Sequence, residues 1–214
     1  MKVRCLALLV TLASWLVSGC APATKLTNAW VDPSYKGPPF QNLLVLGISK
    51  NPSVRRTFED EFSAKLRAAG VKNAVPGYTV LPENGQVETP VLAGILKKMG
   101  ADGAIVARVL DVDRRTAYSP GYVTVIPSVG YARGFYGFYG SAIAVSTPPT
   151  PYQYEVVVVE TSLWQTRDAT LVWSATTQTT DPGELRKEIA GYADIIIGAL
   201  RERGLIGAPA QQKK

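Results

Sequence analysis

The chain of 214 residues contains no histidine. That single absence removes whole classes of chemistry. No Ser-His-Asp or Cys-His nucleophile pair can form, and no histidine-ligated zinc or iron site either. Cysteine is nearly missing as well: Cys5 and Cys20 both fall near the N-terminus. A disulfide-stapled framework is therefore excluded for the body of the chain. No apolar run reaches the roughly 20 residues that a membrane-spanning helix needs. Charge is scarce over one long stretch, where Arg133 alone interrupts the interval between Arg115 and Glu155. No EF-hand loop or phosphate-binding fingerprint occurs, and Gly100-Ala101-Asp102-Gly103 lacks the glycine spacing of a dinucleotide site. No cofactor and no metal are expected.

What is present begins at the N-terminus. Met1-Lys2-Val3-Arg4 is a short basic leader, followed by an apolar run from Leu6 to Val17. Such a leader, a short apolar core and small residues before a cut together read as a secretory signal. The four positions Val17-Ser18-Gly19-Cys20 resemble the lipobox of bacterial lipoproteins. Small residues let a protease approach the backbone between Gly19 and Cys20, and the Cys20 sulfur is the nucleophile that accepts a diacylglycerol. The resemblance implies cleavage before Cys20, acylation of the new amine, and firm anchoring by more than one acyl chain. Ala21 follows the anchor where Asp would mark retention at the inner membrane, so the resemblance implies the outer membrane, facing the periplasm. An ordinary cut after Ala21-Pro22-Ala23 is the alternative, and it would give a soluble periplasmic protein.

The remaining chain is long enough for one domain with a real core, and its hydrophobic fraction of 46% is that of a globular protein. The formal charge is +6, of which Lys2 and Arg4 would leave with the signal. A weakly basic surface suits anionic lipid headgroups or cell-wall carboxylates, and export makes nucleic acid no expected partner. The domain reading is a signal over 1–19, a lipidated N-terminus and tether over 20–41, an α/β domain over 42–206 and a polar tail over 207–214. Within the tether, Trp30 and Phe40 are expected to pack on the domain.

The periodicity then runs as follows. Asn42 to Ser49 is a near-continuous apolar run and predicts a buried central strand. Asn51 or Ser53 caps a helix whose face carries Val54, Phe58, Phe62, Leu66 and Ala69, with Gly70 as its stop. Glu59, Asp60, Glu61, Lys65 and Arg67 fall on the wet side, and Arg55-Arg56 opposes the helix dipole. Asn73 to Leu81, broken by Pro76-Gly77, predicts an edge strand or a bulge. Thr89-Pro90 opens a short helix through Leu92, Ile95, Leu96 and Met99, closed by Gly100. Strands follow over Ala104 to Asp113, Tyr152 to Trp164 and Thr170 to Thr180. Asp181-Pro182-Gly183-Glu184 starts a last helix with Leu185, Ile189, Tyr192, Ile196 and Leu200 on one face. The sum is an α/β (α+β) fold: one mixed sheet of about five strands, packed by about three helices.

Two features remain as candidate sites. From Thr116 to Pro151 the chain holds Tyr118, Tyr122, Tyr131, Phe135, Tyr136, Phe138 and Tyr139 among many glycines. This reads as a long, poorly ordered loop between paired strands. Its rings offer an adaptable surface to glycan, lipid interface or protein, unless the loop has no task at all. Asp111 and Asp113 sit two apart on a strand and so share a face, with Arg114 and Arg115 after them. A solvated, ion-paired strand end is the simpler account of them.

The order of elements resembles the small α/β domain of envelope lipoproteins related to the N-terminal domain of TolB. The curli-secretion lipoprotein and the activator lipoproteins of penicillin-binding proteins belong to that group. The residues that carry the resemblance are Leu43-Leu44-Val45-Leu46-Gly47, the helix from Phe58 to Gly70, Met99-Gly100-Ala101-Asp102-Gly103-Ala104, and Leu163 to Ser174. It implies a shape and an envelope role, and no binding residue. The function expected is that of a non-catalytic outer-membrane lipoprotein, an adaptor or assembly accessory. Its partners would be membrane lipid through acylated Cys20 and an envelope protein or peptidoglycan. A self-associating structural lipoprotein is one alternative, implying a homo-oligomer. A carboxylate-dependent envelope hydrolase using Asp111 and Asp113 is another.

Overall fold

A computed structural model describes residues 24–82, 87–127 and 142–207. Strand β1 (Thr24–Val31) comes first, then β2 (Asn42–Ile48), helix α1 (Pro52–Ala68), β3 (Asn73–Pro76) and a short 3₁₀ turn (Gly77–Thr79). Helix α2 (Thr89–Met99) precedes β4 (Gly103–Tyr118), β5 (Tyr122–Pro127), β6 (Ala142–Thr147), β7 (Pro151–Gln165), β8 (Thr170–Thr180) and helix α3 (Leu185–Glu202). Six strands form one mixed sheet in the order β1-β8-β7-β4-β2-β3, and β5 and β6 form a separate two-stranded sheet. β2 is parallel to both β3 and β4, while the pairs β4–β7, β7–β8 and β1–β8 are antiparallel. The mixed sheet and three helices are those the periodicity predicts.

Two segments change element type from the sequence reading. The stretch expected to be a tether supplies β1, an edge strand zipped along β8 from Thr24↔Thr179 to Val31↔Trp173. Trp30 stays exposed, whereas Phe40 is buried and donates its backbone N–H to Leu205 O at 2.8 Å. The long loop is shorter than expected. β4 runs on to Tyr118, and the backbones at Ser119 and Thr150 are joined at 3.0 Å. Beyond them β5 and β6 continue as a hairpin, Tyr122↔Thr147 to Pro127↔Ala142.

The core lies between the sheet and the α1–α3 pair. Asn51 caps α1 by accepting from the N–H groups of Ser53 and Val54, and Pro52 sits in its first turn. Gly70, at φ +97, ends it in a conformation that a side chain would strain. From α1, Phe62 and Leu66 meet Tyr192, Ile196 and Leu200 of α3 above Leu43, Val45, Ile105, Leu163 and Trp173 of the sheet. The rings of Phe58, Phe62 and Tyr192 sit 5.5 to 5.9 Å apart. Each fully buried large side chain of this kind contributes about 1.5–3 kcal/mol. Helix α3 starts later than the Asp181 cap predicts: Glu184 is its N-cap, and Leu185 faces solvent instead of the core.

Glu59 is the main departure on α1. Placed on the wet face by periodicity, it is fully buried. Its carboxylate accepts from Gly47 N (3.0 Å), Tyr78 N (2.6 Å) and Arg55 Nε (2.9 Å). Arg55, four residues earlier, is buried with it and also donates to Pro82 O. The helix-dipole mismatch at Arg55 is thus offset by an ion pair that ties α1 to β2 and the 3₁₀ turn.

Candidate interaction surface

The topology sorts the two ends of the sheet. β2, β4 and β8 are mutually parallel, so their C-terminal ends lie together, and antiparallel β1 begins at that same end. The starts of α1 and α3 lie there too, each following one of those strands. Between them is an apolar groove of about 280 Å³. Gly47 and Ile48 of β2, Val109 of β4, Val157 and Val159 of β7, and Phe58 and Leu185 of the helices are among its walls. Exposure here is high for residues so apolar: Ile48 60%, Val109 53%, Val112 52% and Leu185 45%. β2 ends at Ile48↔Arg108, so beyond that point β4 has no strand neighbour on one side among the described residues.

The polar groups around the groove are already engaged. Arg55 is paired with Glu59, Arg108 with Glu160 at 2.6 Å, and Glu188 accepts from Gly183 N at 3.1 Å. At the floor, Tyr192 and Thr161 share a hydrogen bond, and burial pushes the Tyr192 hydroxyl well above its ordinary value. Such a wall is suited to apolar matter, and the charged side chains named here are held in these contacts.

A wider cleft of about 1030 Å³ opens at the opposite end, among the β1–β2 loop, α2 and the β7–β8 turn. Its walls include Tyr35, Leu92, Leu96, Lys97 and Arg167. Helix α2 has no buried side chain, so its apolar stripe looks into this opening. Asp102 lies in the wall, yet its carboxylate accepts from Gln41 N (2.8 Å) and Asn42 N (3.0 Å) and so fastens β2 to β4. Burial raises the Tyr35 hydroxyl, with nearby Asp102 adding to the effect, and that hydroxyl donates to Pro38 O at 2.9 Å.

The candidate residues from sequence are distributed as follows. Tyr118 ends β4 and is exposed, and Tyr122 opens β5. Tyr131, Phe135, Tyr136, Phe138 and Tyr139 lie outside the described residues, as do Gly19 and Cys20. Asp113 pairs with Arg115 at 2.9 Å and Arg114 with Glu155 at 2.9 Å, the exposed ion-paired strand expected. Among the described residues, no three metal-ligating side chains converge. Sequence reasoning missed Ile48, Val109 and Leu185. The signal was present in part: Ile48 closes an apolar run that outlasts the helix above it.

This is a mixed α/β domain with an apolar groove at one end of its sheet and a β-ribbon leaving from the same end. No family model matches the chain, and no curated protein matches it. Among solved structures it is similar to the PelC dodecamer from Paraburkholderia phytofirmans, with TM-score 0.45 and 14% identity, covering 86% of this chain and 99% of that one. It is also similar to the lipoprotein GNA1162 from Neisseria meningitidis, with TM-score 0.38 and 12% identity over 76% of this chain and 96% of that one. A PDZ domain protein from Parabacteroides distasonis matches at TM-score 0.35 and 9% identity, covering 83% and 36%. No helix among the described residues is long and apolar enough to cross a membrane.

Proposed function

We propose that the chain is a lipid-anchored, non-catalytic protein of the bacterial envelope that works by binding, as an adaptor or assembly accessory. Val17-Ser18-Gly19-Cys20 after a short apolar run carries this reading. The acyl groups on Cys20 hold the domain at a membrane, and Ala21 directs it to the periplasmic face of the outer membrane. The lack of histidine and the engaged charged groups around the apolar groove support binding over turnover. In shape the domain resembles the TolB-related envelope lipoproteins. Its partner is an envelope protein, peptidoglycan or a second copy.

Growth with a labelled fatty acid tests the anchor. The label should appear on the mature chain and vanish in Cys20→Ser, which should leave the membrane fraction. Equal labelling of both chains would sink the reading.

A further inference from the structure

We propose that the end of the sheet carrying Ile48, Val109, Val112 and Leu185 is a membrane seat, resting in the headgroup region of the bilayer that holds the Cys20 lipid. The proposal rests on the lipid-anchor reading and adds an orientation and a contact surface to it.

The first argument is reach. Only Ala21, Pro22 and Ala23 separate Cys20 from β1. Four residue steps span at most roughly 14 Å even when fully extended. Thr24 is fixed in register with Thr179, and Thr179 lines the apolar groove. The anchor point therefore lies within roughly 20 Å of the groove, and the groove end is the end of the sheet tethered nearest to the bilayer.

The second argument is composition. Ile48, Val109, Val112 and Leu185 form an exposed apolar rim at this end, which soluble surfaces seldom gather in one place. Arg108, Arg114 and Arg115 beside the rim are held in ion pairs with Glu160, Glu155 and Asp113, so paired charges that suit the polar headgroup layer surround a shallow apolar contact.

The ribbon supplies the third argument. β8 ends at Thr180↔Val156, so beyond it, among the described residues, β4 and β7 continue as a two-stranded ribbon at the end where β1 begins. Their charges stop at Arg115 and Glu155. Past those residues Thr116 to Tyr118, Pro151 to Tyr154, β5 and β6 are uncharged. Tyr118 and Tyr152 are exposed just beyond the last charges, where aromatic rings with a polar tip favour the interface. Two strands leave unpaired backbone edges, which the hydrocarbon core does not tolerate. The ribbon therefore lies along the interface and does not cross it.

The test uses the acylated mature chain in vesicles of phosphatidylethanolamine and phosphatidylglycerol. Cys20 is blocked by lipid, so Ile48→Cys, Val109→Cys and Leu185→Cys each take one polarity-sensitive fluorophore. Lys36→Cys and Lys97→Cys report on the opposite end. Labels at 48, 109 and 185 should be quenched by brominated lipid and shielded several-fold from aqueous iodide, with the reverse at 36 and 97. Equal iodide access at both ends overturns the seat. Shielding at 48, 109 and 185 without quenching by brominated lipid also overturns it, and points to a second copy covering the rim. The mass of the mature terminus in the same sample separates the two claims. An acylated chain with open labels leaves the anchor standing and removes the seat; an unacylated chain removes both.

Discussion

The hydroxyls of Thr24 and Thr179 meet at 2.8 Å, both shielded from water, and this contact closes the first strand on the end of the last. Removing one hydroxyl leaves the other buried without its partner, at a cost of about 1–3 kcal/mol. Thr24→Ala should therefore lower the urea midpoint. Combining Thr24→Val with Thr179→Val removes both polar groups and keeps the volume, so the pair should cost less than either alanine variant. Equal losses in Thr24→Ala, Thr179→Ala and the valine pair would show that loss of the hydrogen bond itself, not the orphaned hydroxyl, sets the cost.

The Glu59 carboxylate is the polar centre of the domain. Glu59→Ala takes the carboxylate from Arg55 and orphans the N–H groups of Gly47 and Tyr78. Breaking a buried pair from one side costs about 3–5 kcal/mol. Adding Arg55→Leu should restore part of that loss, because a buried charge that has lost its carboxylate goes with it. Chemical unfolding of the two variants checks this; a double variant no better than Glu59→Ala would mean that the backbone contacts dominate.

The pH dependence follows from Tyr192. Burial raises its hydroxyl above the ordinary value of 10.0, and the bond to Thr161 pulls more weakly the other way. An acid group whose folded pKa is raised stabilises the fold in full below its unfolded value. That stability is lost as pH climbs through the folded value. Stability should therefore start to fall above about pH 10, in part through Tyr192. Tyr192→Phe should cost about 1 kcal/mol at neutral pH and flatten the alkaline fall. Thermal unfolding between pH 7 and about 11 is the measurement.

Much of this fold is legible from period and punctuation. β2 reads as a buried strand because both its faces are covered, and α1 reads from Asn51-Pro52 to Gly70 because cap and stop act locally. What escapes is decided at a distance. β1 has no pattern of its own: Leu26 and Trp30 stay exposed, and pairing with β8, not burial, makes it a strand. Glu59 sits one turn from where a charge belongs, and only the approach of Gly47 and Tyr78 explains it. The groove is harder still. Ile48, Val109 and Leu185 belong to three elements far apart in sequence, and each alone reads as core. Only strand direction gathers them at one end and shows that the helices do not cover them.

The ribbon offers the cleanest separation of fold from function. β5 and β6 pair with each other and not with the six-stranded sheet, and Ser119 and Thr150 bind at the junction through backbone and hydroxyl. Replacing 120–149 by Asn-Gly joins strands that already face each other, with a turn whose twist suits them. The shortened chain should unfold in one cooperative step, with its midpoint close to that of the parent, because the core between the sheet, α1 and α3 is untouched. In an acylated sample the label at Leu185→Cys should become more accessible to iodide, since part of the interfacial contact is gone. Loss of cooperative unfolding would mean that the excised segment supports the core. Unchanged iodide access would assign the whole contact to the rim of Ile48, Val109, Val112 and Leu185.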